Sequence, residues 1–194
     1  AGIVAVEKEP PRIKAPGKVI FLVVNDCRKF FAQAAHKFYG APSDKVKVIG
    51  ITGTNGKTTI SYLIEAIAKK SGCGCGVIGT INYRFKGKTI IAKNTTPESG
   101  QLQSLLMRMR AQKVKYCAME VSSHALDQER VAGINFSRAV FTNLTQDHLD
   151  YHKNLENYFL AKLKLFRALA PTSSAIINND DQYSVRIKRL TKAK

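Results

Sequence analysis

The stretch V-K-V-I-G-I-T-G-T-N-G-K-T-T at residues 46–59 decides the fold of this chain of 194 residues. Its first six residues are apolar and β-branched enough to predict a buried strand, and a turn containing glycine and lysine follows at once. The apolar residues after the turn recur at helical spacing, which predicts a helix that packs one face on a sheet. These apolar residues are Ile60, Leu63, Ile64, Ile67 and Ala68.

The turn at residues 53–59 is a variant of the phosphate-binding loop. The general pattern G-x-x-x-x-G-K-[ST] would need glycine at position 51, where this chain has Ile51. Backbone N–H groups in such a turn wrap a phosphate, and the helix dipole and a lysine add positive charge. We therefore expect Lys57 to contact the β- and γ-phosphates of a nucleotide and Thr58 to bind Mg²⁺. A plain Gly-Asn turn beside a surface lysine is the alternative.

Strands and helices alternate after residue 46, which predicts an α/β fold with a P-loop-type, mostly parallel sheet flanked by helices. Thr96 is expected to cap a helix with Pro97 at its first position. Ligands collect at the carboxyl ends of the strands in such sheets, and the polar motifs fall there. Further strands are expected at residues 77–80, 89–92, 114–121, 139–141 and 175–177, and a further helix at residues 155–169.

The composition is that of a globular protein, with 44% hydrophobic residues. The longest apolar run, residues 19–24, is far shorter than the roughly 20 residues that span a bilayer, so we expect a cytoplasmic protein without a membrane partner. This run predicts a short buried strand, and Asp26 then begins a helix. The four cysteines have no further ligands at paired spacing, which favours reduced thiols over a zinc site.

Positive charge dominates the chain, with 31 Lys and Arg residues against 14 Asp and Glu residues and a net charge of +17. Such an imbalance favours polyanionic partners, which include nucleic acid, acidic membrane and phosphorylated substrates. The charge is spread along the sequence and is densest in the last nine residues. We interpret that dense segment as a solvated basic end of the chain.

Three further segments carry candidate site residues. Glu120 interrupts an apolar strand near its carboxyl end, where a Mg²⁺ contact is expected in nucleotide-binding sheets; a solvent-facing strand glutamate is the alternative. Residues 143–152 contain two acids and two histidines, and either metal binding or turn formation explains them. Lys162 lies on or beside the apolar stripe of the following helix, so its amine must reach solvent or be satisfied by special partners.

These motifs resemble the Mur ligase family, whose members are ATP-dependent amide-bond ligases of peptidoglycan synthesis. The loop G-T-N-G-K-T-T is shared across that family and is similar to the loop of folylpolyglutamate synthases. Four other segments resemble the family members that add the third amino acid to UDP-N-acetylmuramoyl-L-alanyl-D-glutamate. They are N-T-T-P at 94–97, E-V-S-S-H-A-L-D-Q-E-R at 120–130, N-L-T-Q-D-H-L-D-Y-H at 143–152 and D-C-R-K-F-F-A-Q-A-A-H-K-F-Y-G at 26–40.

The resemblance implies roles for individual residues. Thr58 and Glu120 would serve one Mg²⁺ and His148 a second, and Lys162 matches a lysine that such ligases carry as a carbamate. The residues implied in catalysis are Lys57, His148 and Lys162. Those implied in ATP binding are Gly53, Thr54, Asn55, Gly56, Lys57, Thr58, Thr59 and Asn143. Those implied in binding the UDP-muramoyl-dipeptide are Asn94, Thr95, Thr96, Ser122, Gln128 and Arg130.

The implied reaction activates a carboxylate of the UDP-muramoyl-dipeptide with ATP to an acyl phosphate. The amine of a diamino acid, meso-diaminopimelate or L-lysine, then attacks this intermediate and releases phosphate. Positive charge must offset the repulsion between the carboxylate and the γ-phosphate, which explains why the site needs a metal ion and lysine side chains.

The resemblance also implies a domain division. Residues 1–45 match the end of a smaller α/β domain that recognises UDP, and residues 46–194 match an incomplete central ATP-binding domain. The C-terminal domain that binds the amino acid in this family has no counterpart, so the chain is expected to bind nucleotide without completing ligation. Two alternatives are a folylpolyglutamate synthase-like ligase and a non-catalytic scaffold that associates with nucleic acid.

Overall fold

The computed structural model describes residues 2–9 and 19–194 of the chain. The strands in this part are β1 Gly2–Val6, β2 Val19–Val23, β3 Lys47–Thr52, β4 Cys75–Ile78, β5 Asn82–Phe85, β6 Lys88–Ile91, β7 Tyr116–Glu120, β8 Phe136–Phe141 and β9 Ser174–Ile177. The helices are α1 Cys27–Phe38, α2 Lys57–Lys70, α3 Ser99–Ala111, α4 Ser123–Asp127, α5 Leu149–His152, α6 Leu155–Arg167 and α7 Ser184–Leu190, with a 3₁₀ turn at Pro42–Asp44.

The central sheet has the order β6-β5-β4-β7-β3-β8-β9 within the described residues, and β1 and β2 form a separate parallel pair. Strands β4, β7, β3, β8 and β9 run parallel, whereas β5 and β6 form an antiparallel extension at one edge. Lys47 lies opposite Tyr116 and Ile51 opposite Glu120, so β3 and β7 begin and end together. The predicted α/β fold with a mostly parallel sheet is confirmed.

Helices cover both faces of the sheet. One face packs on α3, α6 and α7 in the main hydrophobic core, and the other packs on α2 through Ile60 and Ile64. The predicted stripe of α2 is wrong at two positions, because Leu63 is 55% exposed and Ile67 is 66% exposed. A helix turns by about 100° per residue, so Ile60, Ile64 and Ala68 line the contact while the two other residues project beyond its flank.

The start of α3 also differs from the prediction. Glu98 occupies the N-cap position, and the helix begins at Ser99 instead of Pro97. The hydroxyl of Thr96 donates to the backbone oxygen of Glu120 at 2.9 Å and accepts from the backbone N–H of Ser122 at 3.0 Å. Thr96 therefore connects two parts of the chain at the end of β7 and does not cap a helix.

Two elements are not indicated by the sequence patterns. Strand β5 pairs with both β4 and β6, and it turns Tyr83 and Phe85 into the core, so the basic hairpin lies between β5 and β6. Helix α7 is formed by the basic C-terminal segment, with Ile187 fully buried. Arg186 donates to both carboxylate oxygens of Glu156 on α6, so the prediction of a solvated basic end is wrong for Arg186, whereas it is confirmed for the exposed Lys188 and Arg189.

The N-terminal elements match the prediction in secondary structure but not in burial. Strand β2 forms as expected, yet Ile20, Leu22 and Val23 are between 41% and 53% exposed, because a two-stranded sheet covers little side-chain surface. Asp26 caps α1 by accepting from the backbone N–H of Lys29, as expected. All four cysteines are free. In the part of the chain that is described, no helix combines the length and apolarity needed to cross a membrane.

Candidate active site

The loop between β3 and α2 packs tightly against the end of β8. Gly53 has φ of +145°, and Gly56, at the N-cap of α2, has φ of +84°. A Cβ atom on Gly53 would lie 1.8 Å from Oγ1 of Thr142, which follows β8. Glycine is therefore required at position 53 for both conformation and space.

Lys57 begins α2 and folds back over this loop. Its Nζ donates to the backbone oxygens of Gly53 at 2.9 Å and Thr54 at 2.7 Å. Burial lowers the pKa of Lys57, while the negative charges of Glu120 and Asp147 act in the opposite direction. The lysine and the positive end of the helix dipole lie together, as a phosphate site requires.

Glu120 is 1% exposed and is held by three hydrogen bonds. Its carboxylate accepts from the hydroxyls of Thr58 and Thr80, both at 3.0 Å, and from the backbone N–H of Thr80 at 3.2 Å. A Cβ atom on Gly79 would lie 2.1 Å from Oε1 of Glu120, so glycine is needed there as well. The carboxylate thus faces the phosphate loop, and its alternative interpretation as a solvent-facing strand residue is wrong.

The donor set at this point fits Mg²⁺. Magnesium favours oxygen ligands and is usually bound by one or two carboxylates together with substrate phosphates and water. Glu120 and the Thr58 hydroxyl supply the oxygens, and no salt bridge engages Glu120 among the described residues. Residues 2–9 and 19–194 contain no group of three or more His, Cys, Asp and Glu side chains that would hold a metal without such additional ligands.

The segment after β8 fixes the phosphate loop from the other side. Asn143 Oδ1 accepts from the backbone N–H of Asn55 at 3.0 Å, and the Thr142 hydroxyl donates to the backbone oxygen of Asn55 at 2.7 Å. Oγ1 of Thr54 accepts from the backbone N–H of Thr145 at 2.9 Å. These contacts bring the predicted residues Thr54, Asn55 and Asn143 together. Thr59 projects from the first turn of α2 and is exposed.

Lys162 is buried inside the protein, with 2% exposure, and satisfies its amine locally. Its Nζ donates to the backbone oxygen of Gly53 at 2.9 Å, the same oxygen that Lys57 contacts, and lies 4.3 Å from the centre of the Tyr158 ring. Burial, reinforced by the positive charge of Lys57, lowers the pKa of Lys162 well below its ordinary value, although Asp147 opposes this. The lysine therefore does not reach solvent, and its surroundings disfavour the charged form.

His148 is placed differently from the other candidates. It adopts the left-handed conformation with φ of +51°, is about half exposed, and has Nε2 3.4 Å from Oδ2 of Asp147. Its ring centre is 4.9 Å from that of His124 and 6.0 Å from that of Tyr158, whose hydroxyl lies 3.4 Å from the Thr54 hydroxyl. In the described structure no hydrogen bond joins His148 to the two oxygen ligands at the loop, so its role as a metal ligand stays a prediction.

A buried pair beside His148 lies within the quoted motifs, although no role is assigned to either of its members. His152 is 5% exposed, and its Nε2 lies 3.0 Å from the Ser123 hydroxyl. This contact joins α5, which follows His148, to α4, which follows Glu120. Burial lowers the pKa of both His124 and His152.

The predicted substrate residues form a second polar cluster next to Glu120. Arg130 donates to the Gln128 side-chain oxygen at 3.0 Å and to the backbone oxygen of Thr96 at 3.2 Å, and lies 3.0 Å from a carboxylate oxygen of Glu98. Ser122 caps α4 and binds the Thr96 hydroxyl through its backbone N–H. Four of the six predicted residues are thus in one hydrogen-bonded group.

The other two predicted residues precede this group in the chain. The Thr95 hydroxyl lies 3.0 Å from the Thr80 hydroxyl, and the backbone oxygen of Asn94 accepts from the Tyr83 hydroxyl at 2.6 Å. Thr80 therefore connects the substrate cluster to Glu120. Its sequence signal is a polar residue two positions past the end of β4, near the level where Glu120 and Thr52 end their own strands.

Comparisons with known proteins identify the family of this chain. Residues 51–194 match the family described as the Mur ligase middle domain. The UDP-N-acetylmuramoyl-L-alanyl-D-glutamate–2,6-diaminopimelate ligase of Geobacter metallireducens is 48% identical over 192 residues, which cover 96% of this chain and 37% of the relative. A solved structure of a ligase with the same name is 33% identical, with a TM-score of 0.75 over 87% of this chain and 34% of the other.

A folylpolyglutamate synthase of Mycobacterium tuberculosis complexed with ADP and AMPPCP has a TM-score of 0.65 over 86% of this chain and 46% of the other, at 18% identity, which shows a shared fold alone. The chain spans a little over a third of the length of the curated relatives that it matches. The family match covers most of the sequence and contains the phosphate loop from Gly53 onward, Glu120 and Lys162. The chain therefore belongs to the Mur ligase family, as a middle domain of that family.

Proposed function

We propose that this chain is the nucleotide-binding part of an ATP-dependent ligase that joins an amino acid to UDP-N-acetylmuramoyl-L-alanyl-D-glutamate. One observation carries the proposal: the buried Glu120 carboxylate accepts from Thr58 of the phosphate loop, beside the amine of Lys57. A carboxylate, a hydroxyl and a lysine at the start of a helix are what Mg²⁺ and a triphosphate need together. The names of the similar ligases support the substrate.

In this proposal the loop residues Gly53 to Thr59 and Asn143 hold the phosphates of ATP. Thr58 and Glu120 hold one Mg²⁺, and His148 contributes to a second metal position. The metal supplies positive charge to the γ-phosphate when it is bound. Lys57 adds charge from the side of the helix, so that the substrate carboxylate can approach the phosphate in line.

The cluster beside Glu120 is proposed to hold the UDP-muramoyl-dipeptide. Arg130 is the cation of this cluster, and its position next to Thr96 and Ser122 suits a carboxylate or phosphate of the substrate. Asn94, Thr95 and Gln128 complete the group. The relatives act on 2,6-diaminopimelate by name, which favours this diamino acid over L-lysine as the second substrate.

Lys162 is proposed to carry a carbamate. The lone pair of its neutral amine attacks the carbon of CO₂, a N–C bond forms while one C=O electron pair moves onto oxygen, one proton is released from nitrogen, and the neutral amine becomes an anion that can bind metal. Burial that favours the neutral amine supports this step. Isotope-labelled bicarbonate should give a carbamate resonance in the NMR spectrum of the chain that Lys162→Arg abolishes. A resonance that persists in this variant would place the modification elsewhere.

We also propose the domain division between residues 1–45, as the end of the domain that recognises UDP, and residues 46–194, as the ATP-binding domain. The separate β1-β2 pair supports it. A cytoplasmic location is proposed with it, and four free cysteines are consistent with a reducing compartment.

Thermal unfolding with and without ATP and Mg²⁺ tests the nucleotide site. We expect ATP with Mg²⁺ to raise the unfolding temperature of the chain, and Lys57→Ala to abolish the rise. Lys69→Ala, at the other end of α2, is the matched control and should keep the full effect. The proposed function would be wrong if ATP with Mg²⁺ did not stabilise the wild-type chain, or if both variants behaved alike.

A second titration tests the substrate. UDP-N-acetylmuramoyl-L-alanyl-D-glutamate should stabilise the ATP-bound chain further, and Arg130→Ala should remove only this second increment. A folate substrate added in its place should have no effect. Stabilisation by the folate and not by the UDP-sugar would favour the polyglutamylating ligase instead.

A further inference from the structure

A group of ten exposed basic residues lies at the end of the sheet opposite the candidate active site. Strands β3, β4 and β7 begin at this end, and helices α1, α2 and α3 finish there. We name this surface the basic face. It consists of Lys37, Lys45, Lys47, Lys69, Lys70, Lys86, Lys88, Arg110, Lys113 and Lys115, all of which are exposed.

The backbone makes the basic face continuous. The backbone N–H of Lys47 donates to the backbone oxygen of Lys115 at 2.9 Å, and that of Lys115 donates to Gly74 at 3.1 Å. A Cβ atom on Gly74 would lie 3.8 Å from the side chain of Lys86 in the β5–β6 turn. Lysines that are distant in sequence are therefore neighbours across three strands and a turn.

In the described part of the chain no ion pair involves these side chains, although Glu65 lines a cavity with Lys69 and Lys86. None of the ten side chains has a carboxylate oxygen within 4.0 Å among the residues that the structure describes. Four of them lie in or near the last turns of α1, α2 and α3, where the helix dipole favours cations. The other six lie on strands and turns, where no helix dipole accounts for the positive charge. The basic face lies at the opposite end of the strands from the phosphate loop, so it is too far away to bind ATP.

The side chains on this face indicate the kind of anion that it fits. Nine of the ten residues are lysines, the guanidinium of Arg110 already donates to the backbone oxygen of Gly40, and the exposed Arg138 lines a groove beside them with Ile67. Sequence-specific recognition of nucleic acid relies chiefly on the planar fork of arginine, whereas lysine is sufficient to attract anionic headgroups. Exposed apolar side chains also occur among these lysines, since Phe38 is 83% exposed and Ile67 is 66% exposed.

We propose, contrary to the expectation of no membrane partner, that the basic face docks the protein on the surface of a bilayer that contains anionic lipids. The lysines attract the headgroups, and Phe38 enters the interface between headgroups and acyl chains. Lys37 precedes Phe38, and the contact between Gly40 and Arg110 places the end of α1 on this face. The candidate active site lies at the other end of the sheet and faces away from the lipid. The proposal does not depend on the proposed function.

Co-sedimentation of the 194-residue chain with vesicles tests the proposal. The chain should bind phosphatidylcholine vesicles that contain about 30% phosphatidylglycerol, and not pure phosphatidylcholine, with binding lost at high salt. Lys47→Glu, Lys88→Glu and Lys115→Glu together should weaken binding by about 100-fold or more, from about fivefold for each lysine removed. The matched control changes Lys29, Lys93 and Lys153, three exposed lysines at the other end, to Glu.

Equal loss in the two triple variants would show that net charge alone acts, and would overturn the proposal. Absence of vesicle binding together with salt-dependent binding of duplex DNA would overturn it in favour of nucleic acid. Phe38→Trp gives an independent measurement, because the chain has no other tryptophan. Its fluorescence should shift to the blue with anionic vesicles and be quenched by brominated lipid, and an unchanged spectrum would contradict insertion at this residue.

Discussion

The two ends of the central sheet are formed by the same parallel strands, yet they differ in packing and charge. At the carboxyl end, Cβ atoms on Gly53 and Gly79 would lie 1.8 Å and 2.1 Å from neighbouring side chains, and the charged groups of Glu120 and Lys162 are buried. At the amino end, nothing lies within 4 Å of a Cβ on Gly72, and lysines stand exposed without acidic partners.

The fold therefore constrains the sequence more strongly at the carboxyl end of the sheet than at the amino end. A buried charge is tolerated only when hydrogen bonds and close packing fix it, so the carboxyl end requires particular residues at particular positions. Exposed lysines need no such partners, because water solvates them. The fold therefore does not determine the charge pattern at the amino end, and this pattern can suit an external binding partner.

The largest effect is expected from alanine at Gly53. Gly53→Ala places a Cβ against Thr142 in a backbone conformation that side chains rarely adopt, and should lower the free energy of unfolding by about 4 kcal/mol. Gly72→Ala, with φ of +69° and open space, should lose only about 1 kcal/mol. Denaturant unfolding of both variants measures this, and equal losses would remove the contrast in packing between the two ends.

Glu120→Gln sharpens the contrast in charge. The amide keeps the size of the carboxylate but removes its negative charge. The affinity for Mg²⁺ in the presence of ATP should therefore fall by about 10- to 100-fold. Glu65→Gln is the control, because Glu65 pairs with Arg84 and makes no contact with Thr58. Calorimetric titration at several Mg²⁺ concentrations distinguishes the two variants. Unaltered metal dependence in Glu120→Gln would exclude this carboxylate as a ligand.

The thiol of Cys75, at the amino end, shows whether the positive charge of the exposed lysines changes the pKa of a buried group. Cys75 lines a cavity of about 310 Å³ with Lys69 and Lys86, yet burial raises the pKa of its thiol to about 11 from 9.0. Its alkylation rate in the folded chain should therefore rise about tenfold per pH unit past pH 9, whereas the unfolded chain levels off near that value. Mass spectrometry of the Cys75 peptide measures the rate.

The sign for stability follows from the same pKa. Between about pH 9 and 11 the folded chain keeps a proton on Cys75 that the unfolded chain has lost, so this group's contribution to stability falls as the pH rises through that window. If the alkylation rate of Cys75 in the folded chain stopped rising below pH 9, the nearby lysines would be lowering the pKa of the thiol. Solvent would then not screen the charges of these lysines.

The smallest effect concerns single surface charges. Lys47→Gln relieves repulsion within the basic face and should raise the free energy of unfolding by about 0.3 kcal/mol at low salt and by nothing in concentrated salt. Lys164→Gln should have the opposite sign, because Lys164 lies 3.4 Å from Asp127 and 3.3 Å from Glu129. Unfolding of both variants at low and high salt measures these changes. A change of the same sign in the free energy of unfolding of both variants would argue against a net repulsion at Lys47.

Local patterns were sufficient for the framework of the site. The order of apolar strand, Gly-Lys-Thr turn and helical stripe predicts the phosphate loop, and Asp26 predicts the start of α1. Lys162 at helical spacing from Tyr158 predicts a lysine on a buried face, which the structure has. These predictions succeed because each depends on neighbours within one or two turns of the same chain segment.

The remaining features depend on contacts between segments that are distant in sequence. Thr96 binds the end of β7 in place of capping a helix, and Thr80 binds Glu120 across 40 residues. Leu63 and Ile67 continue the apolar stripe of α2, yet the width of the contact with the sheet leaves them exposed. Neither strand neighbours nor contact widths are encoded in helical or strand periodicity.

The sequence by itself determined the type of fold, the phosphate loop and the family, because these depend on residue order and on the chemistry of short motifs. Only the tertiary structure decided that Glu120 is buried against Thr58, that Lys57 and Lys162 contact the same backbone oxygen, and that the lysines gather opposite the site. The physical reason is that burial and electrostatic environment arise from which segments pack together, and parallel strands bring together residues far apart in the chain.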